Sequence, residues 1–131
     1  ADDRQGGTGG KGIYTPTVEN KVRMTLGDVG KAVIRAKALG VPVAFGTDAG
    51  VFEHGRNAGE FALLVKYGLT PREALASATT VAATLLSMDN EIGRIAPGMS
   101  ADMIAVTGDP LTDVTVLEKV DWVMARGRIA D

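Results

Sequence analysis

Apolar positions recur along this chain at two different periods, and the change of period divides it. Between Asp28 and Gly40 the residues Val29, Val33, Ala36 and Leu39 fall at helical spacing. That pattern predicts a helix with Asp28 at its N-cap and Gly40 as its left-handed stop. The next run, Val41-Pro42-Val43-Ala44-Phe45-Gly46, is apolar or small throughout and too short for a typical helix. It predicts a parallel strand buried on both faces, and it ends in Thr47-Asp48. A glycine-punctuated loop from Ala49 to Arg56 follows. Asn57 with Glu60 three residues later resembles a capping pair, and Phe61, Leu64 and Val65 give the apolar face of a helix that ends before Gly68. Thr70-Pro71-Arg72-Glu73 is a stronger start, combining an N-cap, Pro at the first helical position and Glu at the third. The helical stretch it opens is predicted to break near Thr79-Thr80 before resuming from Val81 to Met88.

After Asp89-Asn90 the period shortens. Ile92 to Ile95 reads as extended chain, Pro97-Gly98 as a turn, Asp102 to Thr107 as a strand, and Thr112 to Leu117 as a one-turn element. Val120 to Ala125, Arg126-Gly127 and Arg128 to Ala130 predict a hairpin with glycine in its two-residue turn. Upstream, Ile13 to Val18 is predicted as a short extended segment near an edge, because Pro16 interrupts it. Gly7-x-Gly9-x-x-Gly12 matches a dinucleotide fingerprint by letter, but no strand precedes it, so residues 1–12 are expected to be a flexible leader. The domain expectation is therefore a leader over 1–12, an α/β unit over 13–90 and a small β unit over 91–131.

A length of 131 residues with 45% hydrophobic and 23% charged residues suits one soluble globular domain. The formal net charge of −2 and the lack of a Lys or Arg cluster argue against a nucleic-acid partner. No apolar run approaches the roughly 20 residues of a spanning helix, which argues against a membrane partner. The first residues do not resemble a signal peptide, although the chain lacks an initiator Met.

Chemistry narrows to few residues. With no cysteine and one histidine, His54, a metal site made from this chain alone would have one imidazole and otherwise carboxylates, an unusual set for zinc. Asp48 stands at the carboxyl end of a predicted parallel strand, where α/β barrels and open sheets keep their active sites. It can equally be an ordinary turn former that bonds nearby amides. One or two parallel strands cannot cover three or four helices, so the unit is expected to need neighbours on both strand edges.

Several stretches together resemble one family. They are Val43-Ala44-Phe45-Gly46-Thr47-Asp48, His54-Gly55, Leu69 to Leu75, Glu91 to Asp102, and Gly108-Asp109-Pro110-Leu111. In order and spacing they resemble the carboxyl-terminal third of the amidohydrolase superfamily, in the branch of Xaa-Pro dipeptidases and imidazolonepropionase-like enzymes. The resemblance implies an α/β fold, a partial (β/α)8 TIM barrel over 13–90 followed by a small β-sandwich portion over 91–131. It implies that Asp48 ends the eighth strand and contacts a divalent metal, zinc by expectation. Asp48 would also take a proton from the attacking water and pass it to the leaving amine. His54 and Arg56 would face an amide or dipeptide substrate and hold its carboxylate. The family's paired histidines and its further histidines have no counterpart here, so the isolated chain is expected to be inactive without the missing amino-terminal barrel portion. The alternative is a noncatalytic module that self-associates or binds a partner through uncovered apolar faces.

Overall fold

The computed structural model describes residues 15, 17, 28, 30–49 and 55–130. The leader over 1–12 and His54 lie outside them. The first helix, α1, covers residues 30–38 and closes at Gly40, which has φ 67° as the pattern predicts. Asp28 is itself helical instead of capping, and its carboxylate accepts the Lys31 ammonium at 2.6 Å. Thr17 is helical where the pattern predicts extended chain. In sequence, Thr15-Pro16 is a helix-start signal of the same kind as Thr70-Pro71.

Three short helices follow: α2 (Gly59–Lys66), α3 (Pro71–Ala78) and α4 (Thr80–Leu85). Thr79, at φ −123° and ψ −94°, breaks α3 from α4 where the two threonines predicted a break. Beyond them β1 (Met103–Val106), a 3₁₀ turn (Val114–Glu118), β2 (Val120–Ala125) and β3 (Arg128–Ile129) complete the described elements. The strands form one antiparallel sheet in the order β1-β2-β3, with Ile104 opposite Val123, Met124 opposite Ile129, and a shift of register between Ala105 and Val106. Arg126-Gly127 makes the tight turn, and Asp102 fastens it by accepting the Arg126 amide at 2.7 Å.

Residues 41–49 join no ladder among the described residues. A strand is defined by its neighbours, and the β-branched content of this run makes it fit a sheet without supplying one. The segment is instead held by side chains and two backbone bonds, the first from the Val41 amide to the Ala36 carbonyl at 2.9 Å, and its residues are half-buried or exposed where the pattern predicts burial on both faces. Leu64, Leu69 and Ala74 are buried, and Val33, Val43, Phe45, Phe61 and Val65 pack on them. The Phe45 and Phe61 rings lie 4.5 Å apart between centroids, and the Phe45 amide donates to the Ser77 carbonyl at 3.0 Å. The segment is thereby fastened to α2 through a ring and to α3 through the backbone. Helix α1 closes on the other side, where a Cβ added to Gly30 would run into the ring of Tyr67.

The start of α3 is a complete capping box. Thr70 Oγ1 accepts the Glu73 amide at 3.2 Å, and Glu73 Oε2 accepts the Thr70 amide at 2.6 Å. Lys37 of α1 adds its ammonium to the same carboxylate oxygen at 2.7 Å and to the Gly68 carbonyl at 2.7 Å. These donors, Lys37 first and then Thr70, lower the Glu73 pKa from 4.5 to about 2. A depressed carboxylate stabilises the fold above its unfolded value, and that contribution is lost as pH falls through the folded one. The melting temperature is therefore expected to drop between about pH 4.5 and pH 2, less steeply in Glu73→Gln. Thr70→Ala is expected to cost about 1 kcal/mol at neutral pH. Thermal melts across that pH range check both.

Candidate functional site

The site is built where residues 41–49 leave the core. Phe45 is the last deeply anchored residue, and Thr47 is half-buried. Thr47 Oγ1 accepts a hydrogen bond from Asn57 Nδ2 at 2.8 Å across ten residues. Asp48 follows with φ 46°, in the left-handed region, and its side chain is exposed. Non-glycine residues are uncommon there, and Asp and Asn are among the few that settle in it readily.

The Thr47–Asn57 bond sets two stretches of chain side by side. Asp48 and Arg56 are each the chain neighbour of one partner in that bond, and both are exposed. His54 lies between them in sequence and outside the described residues. Of the three candidate side chains, the structure thus relates Asp48 to Arg56 through a shared anchor.

Asn57 is the residue that sequence reasoning assigned differently. Its type and spacing to Glu60 suggest a cap, yet α2 takes Ala58 at its N-cap and has no side-chain capping bond. Only the Asn57 carbonyl serves the helix, accepting the Glu60 amide at 3.1 Å. Partial burial raises the Glu60 pKa by removing water from its carboxylate. No local pattern reveals a partner ten residues upstream.

Among the described residues, no group of three or more His, Cys, Asp or Glu side chains is placed to hold a metal ion. These residues alone do not fit the divalent metals that amidohydrolases generally use. Nor is any described helix long and apolar enough to cross a membrane.

Solved structures are similar to this chain over most of its length. A Xaa-Pro dipeptidase with bound methionine in its active site superposes at TM-score 0.88 with 37% identity, covering 92% of this chain and 30% of its own. A prolidase complexed with N-methylphosphonate-L-proline superposes at TM-score 0.82 with 32% identity, over 91% of this chain and 30% of its own. An uncharacterized protein of Mycobacterium tuberculosis (strain ATCC 25618 / H37Rv) is 43% identical over 101 residues, 73% of this chain and 25% of that protein. Likeness at this level defines the class as a hydrolase-type chain of the dipeptidase and prolidase branch. The chain belongs to the amidohydrolase family, whose model matches residues 17–130. It spans 25% of the length of this curated relative and 30% of each of the two solved structures.

Proposed function

We propose that this chain is the carboxyl-terminal portion of a metal-dependent amidohydrolase that cleaves an amide or peptide C–N bond, with Xaa-Pro dipeptides as the first substrate class. The observation that carries the reading is the likeness to a Xaa-Pro dipeptidase over 92% of this chain at TM-score 0.88. Residues 13–90 are assigned to the end of a (β/α)8 barrel and 91–131 to a small β-sandwich, with 1–12 as a leader.

Asp48 is the catalytic side chain in this reading and the one metal-contacting donor the chain supplies. A carboxylate at the free end of an anchored segment can take a proton from water and return it to a leaving amine. His54 and Arg56 are assigned to the substrate. A guanidinium is suited to a dipeptide's terminal carboxylate, which it can grip with two parallel hydrogen bonds. The relatives' ligands, methionine and a phosphonate of proline, are likewise built on amino acids. Imidazolonepropionase-like cyclic amides are the second substrate class to assay.

The test joins the chain to the preceding part of its own reading frame and compares it with the 131-residue chain alone. Hydrolysis of Xaa-Pro dipeptides is measured with and without a chelator. The joined protein is expected to hydrolyse them and to stop on chelation, while the chain alone is inactive. Hydrolysis by the chain alone, or none of any dipeptide or cyclic amide by the joined protein, overturns the reading. A stable, metal-free monomer that binds no apolar dye counts against a missing portion, whereas self-association without hydrolysis favours a noncatalytic module.

A further inference from the structure

We infer that Asn57 is a positioning residue for Asp48, acting through the hydroxyl of Thr47; the inference rests on the catalytic reading of Asp48 above. Asn57 has the type and the spacing to cap α2, and its side chain is withheld from that role. It reaches back ten residues to Thr47 Oγ1 at 2.8 Å, while α2 begins without a side-chain cap. A cap and a neutral side-chain hydrogen bond contribute comparably, so exchanging one for the other leaves stability nearly level. What the exchange gains is geometry.

Thr47 carries the peptide bond from which Asp48 departs. Upstream, Phe45 is fixed by its bond to the Ser77 carbonyl and by the Phe61 ring. The Asn57 bond extends that anchorage to the residue next to the carboxylate. Asp48 then turns at φ 46°, a conformation that persists where its surroundings hold it. An exposed carboxylate with two free side-chain torsions gains direction from a fixed starting point. A displacement of about 1 Å at a reacting group can cost on the order of 100-fold in rate.

The experiment uses the full-length protein joined as above and measures kcat, KM and melting temperature on a Xaa-Pro dipeptide. Asn57→Ala and Thr47→Val are each expected to lower kcat about 10- to 100-fold, with KM changed by no more than about twofold. The double variant is expected to be no worse than either single one, because both remove the same bond. Thr47→Ser keeps the acceptor and is expected to recover the rate lost in Thr47→Val. Unchanged kcat in both single variants, or losses that multiply in the double variant, overturns the inference. If Asn57→Ala does not fold, the comparison of Thr47→Val with Thr47→Ser decides, since equal kcat in those two removes the hydroxyl from any positioning role. Asp48→Asn separates the two levels. Full rate in that variant overturns the Asp48 reading and this one with it, whereas a lost rate beside unchanged Asn57 and Thr47 variants overturns this inference alone.

Discussion

On the proposed function, Asp48→Asn in the protein joined to its preceding reading frame is expected to lower kcat by about 10²- to 10⁴-fold, the usual contribution of a positioned proton-transfer group. The substitution is informative because it changes chemistry and little else. Asn has the shape of Asp and shares its tolerance for left-handed backbone, so the turn at φ 46° is kept. An amide cannot take a proton from water at neutral pH, and it carries no charge. Stability is therefore expected to stay within the scatter of surface substitutions, about 0.5 kcal/mol, while turnover collapses. Asp48→Ala is a poorer probe, since it adds left-handed strain of about 1–2 kcal/mol to the lost carboxylate. Steady-state kinetics beside a thermal melt distinguish the cases, and full turnover in Asp48→Asn would remove Asp48 from the chemistry.

A large effect on stability is expected at Gly93, which sits in the stretch that carries part of the family resemblance. Gly93 has φ 94°, and a Cβ there would stand 2.7 Å from the Ala83 Cβ and 3.0 Å from the Thr79 carbonyl oxygen. Neither neighbour can swing aside. Ala83 is buried in α4 and has no rotamer to change, and Thr79 forms the break between α3 and α4. Gly93→Ala combines strain of about 1–3 kcal/mol with overpacking of similar size, for a loss of roughly 2–5 kcal/mol. Gly98→Ala supplies the control, because Gly98 has φ 85° but nothing within 4 Å of an added Cβ. It is expected to show the strain without the clash. Equal melting temperatures for the two variants would mean that the turn at Gly93 opens at no cost.

The contrast between these two sites shows what the letters of the chain could and could not convey. Thr70-Pro71-Arg72-Glu73 and the Arg126-Gly127 hairpin were legible because every partner lies within a few residues, and local chemistry fixes each geometry. The break at Thr79-Thr80 was legible for the same reason. Residues 41–49 suggested burial on both faces through composition, but burial and pairing both depend on chain remote in sequence: Val41, Pro42 and Gly46 are exposed, Val43, Ala44 and Phe45 only half-buried, and the described residues supply no ladder. Asn57 misled because two partners competed for one side chain. The local partner was visible in the spacing to Glu60, and the distant hydroxyl of Thr47 was not. The position of Asp48 at the end of an apolar run could be read. Its left-handed turn could not, since Asp occupies several backbone regions and nothing adjacent selects one.

The approach of α1 to Tyr67 has a consequence for how the first layer finds its seat. The helix meets the ring at Gly30, the one place along that face where it has no side chain to collide with it. If α1 slid by a single turn, Ile34 would arrive where Gly30 stands, and its branched carbons would strike the ring. Gly30 thus serves as an index notch that sets the longitudinal alignment of the helix by exclusion, without contributing a bond of its own.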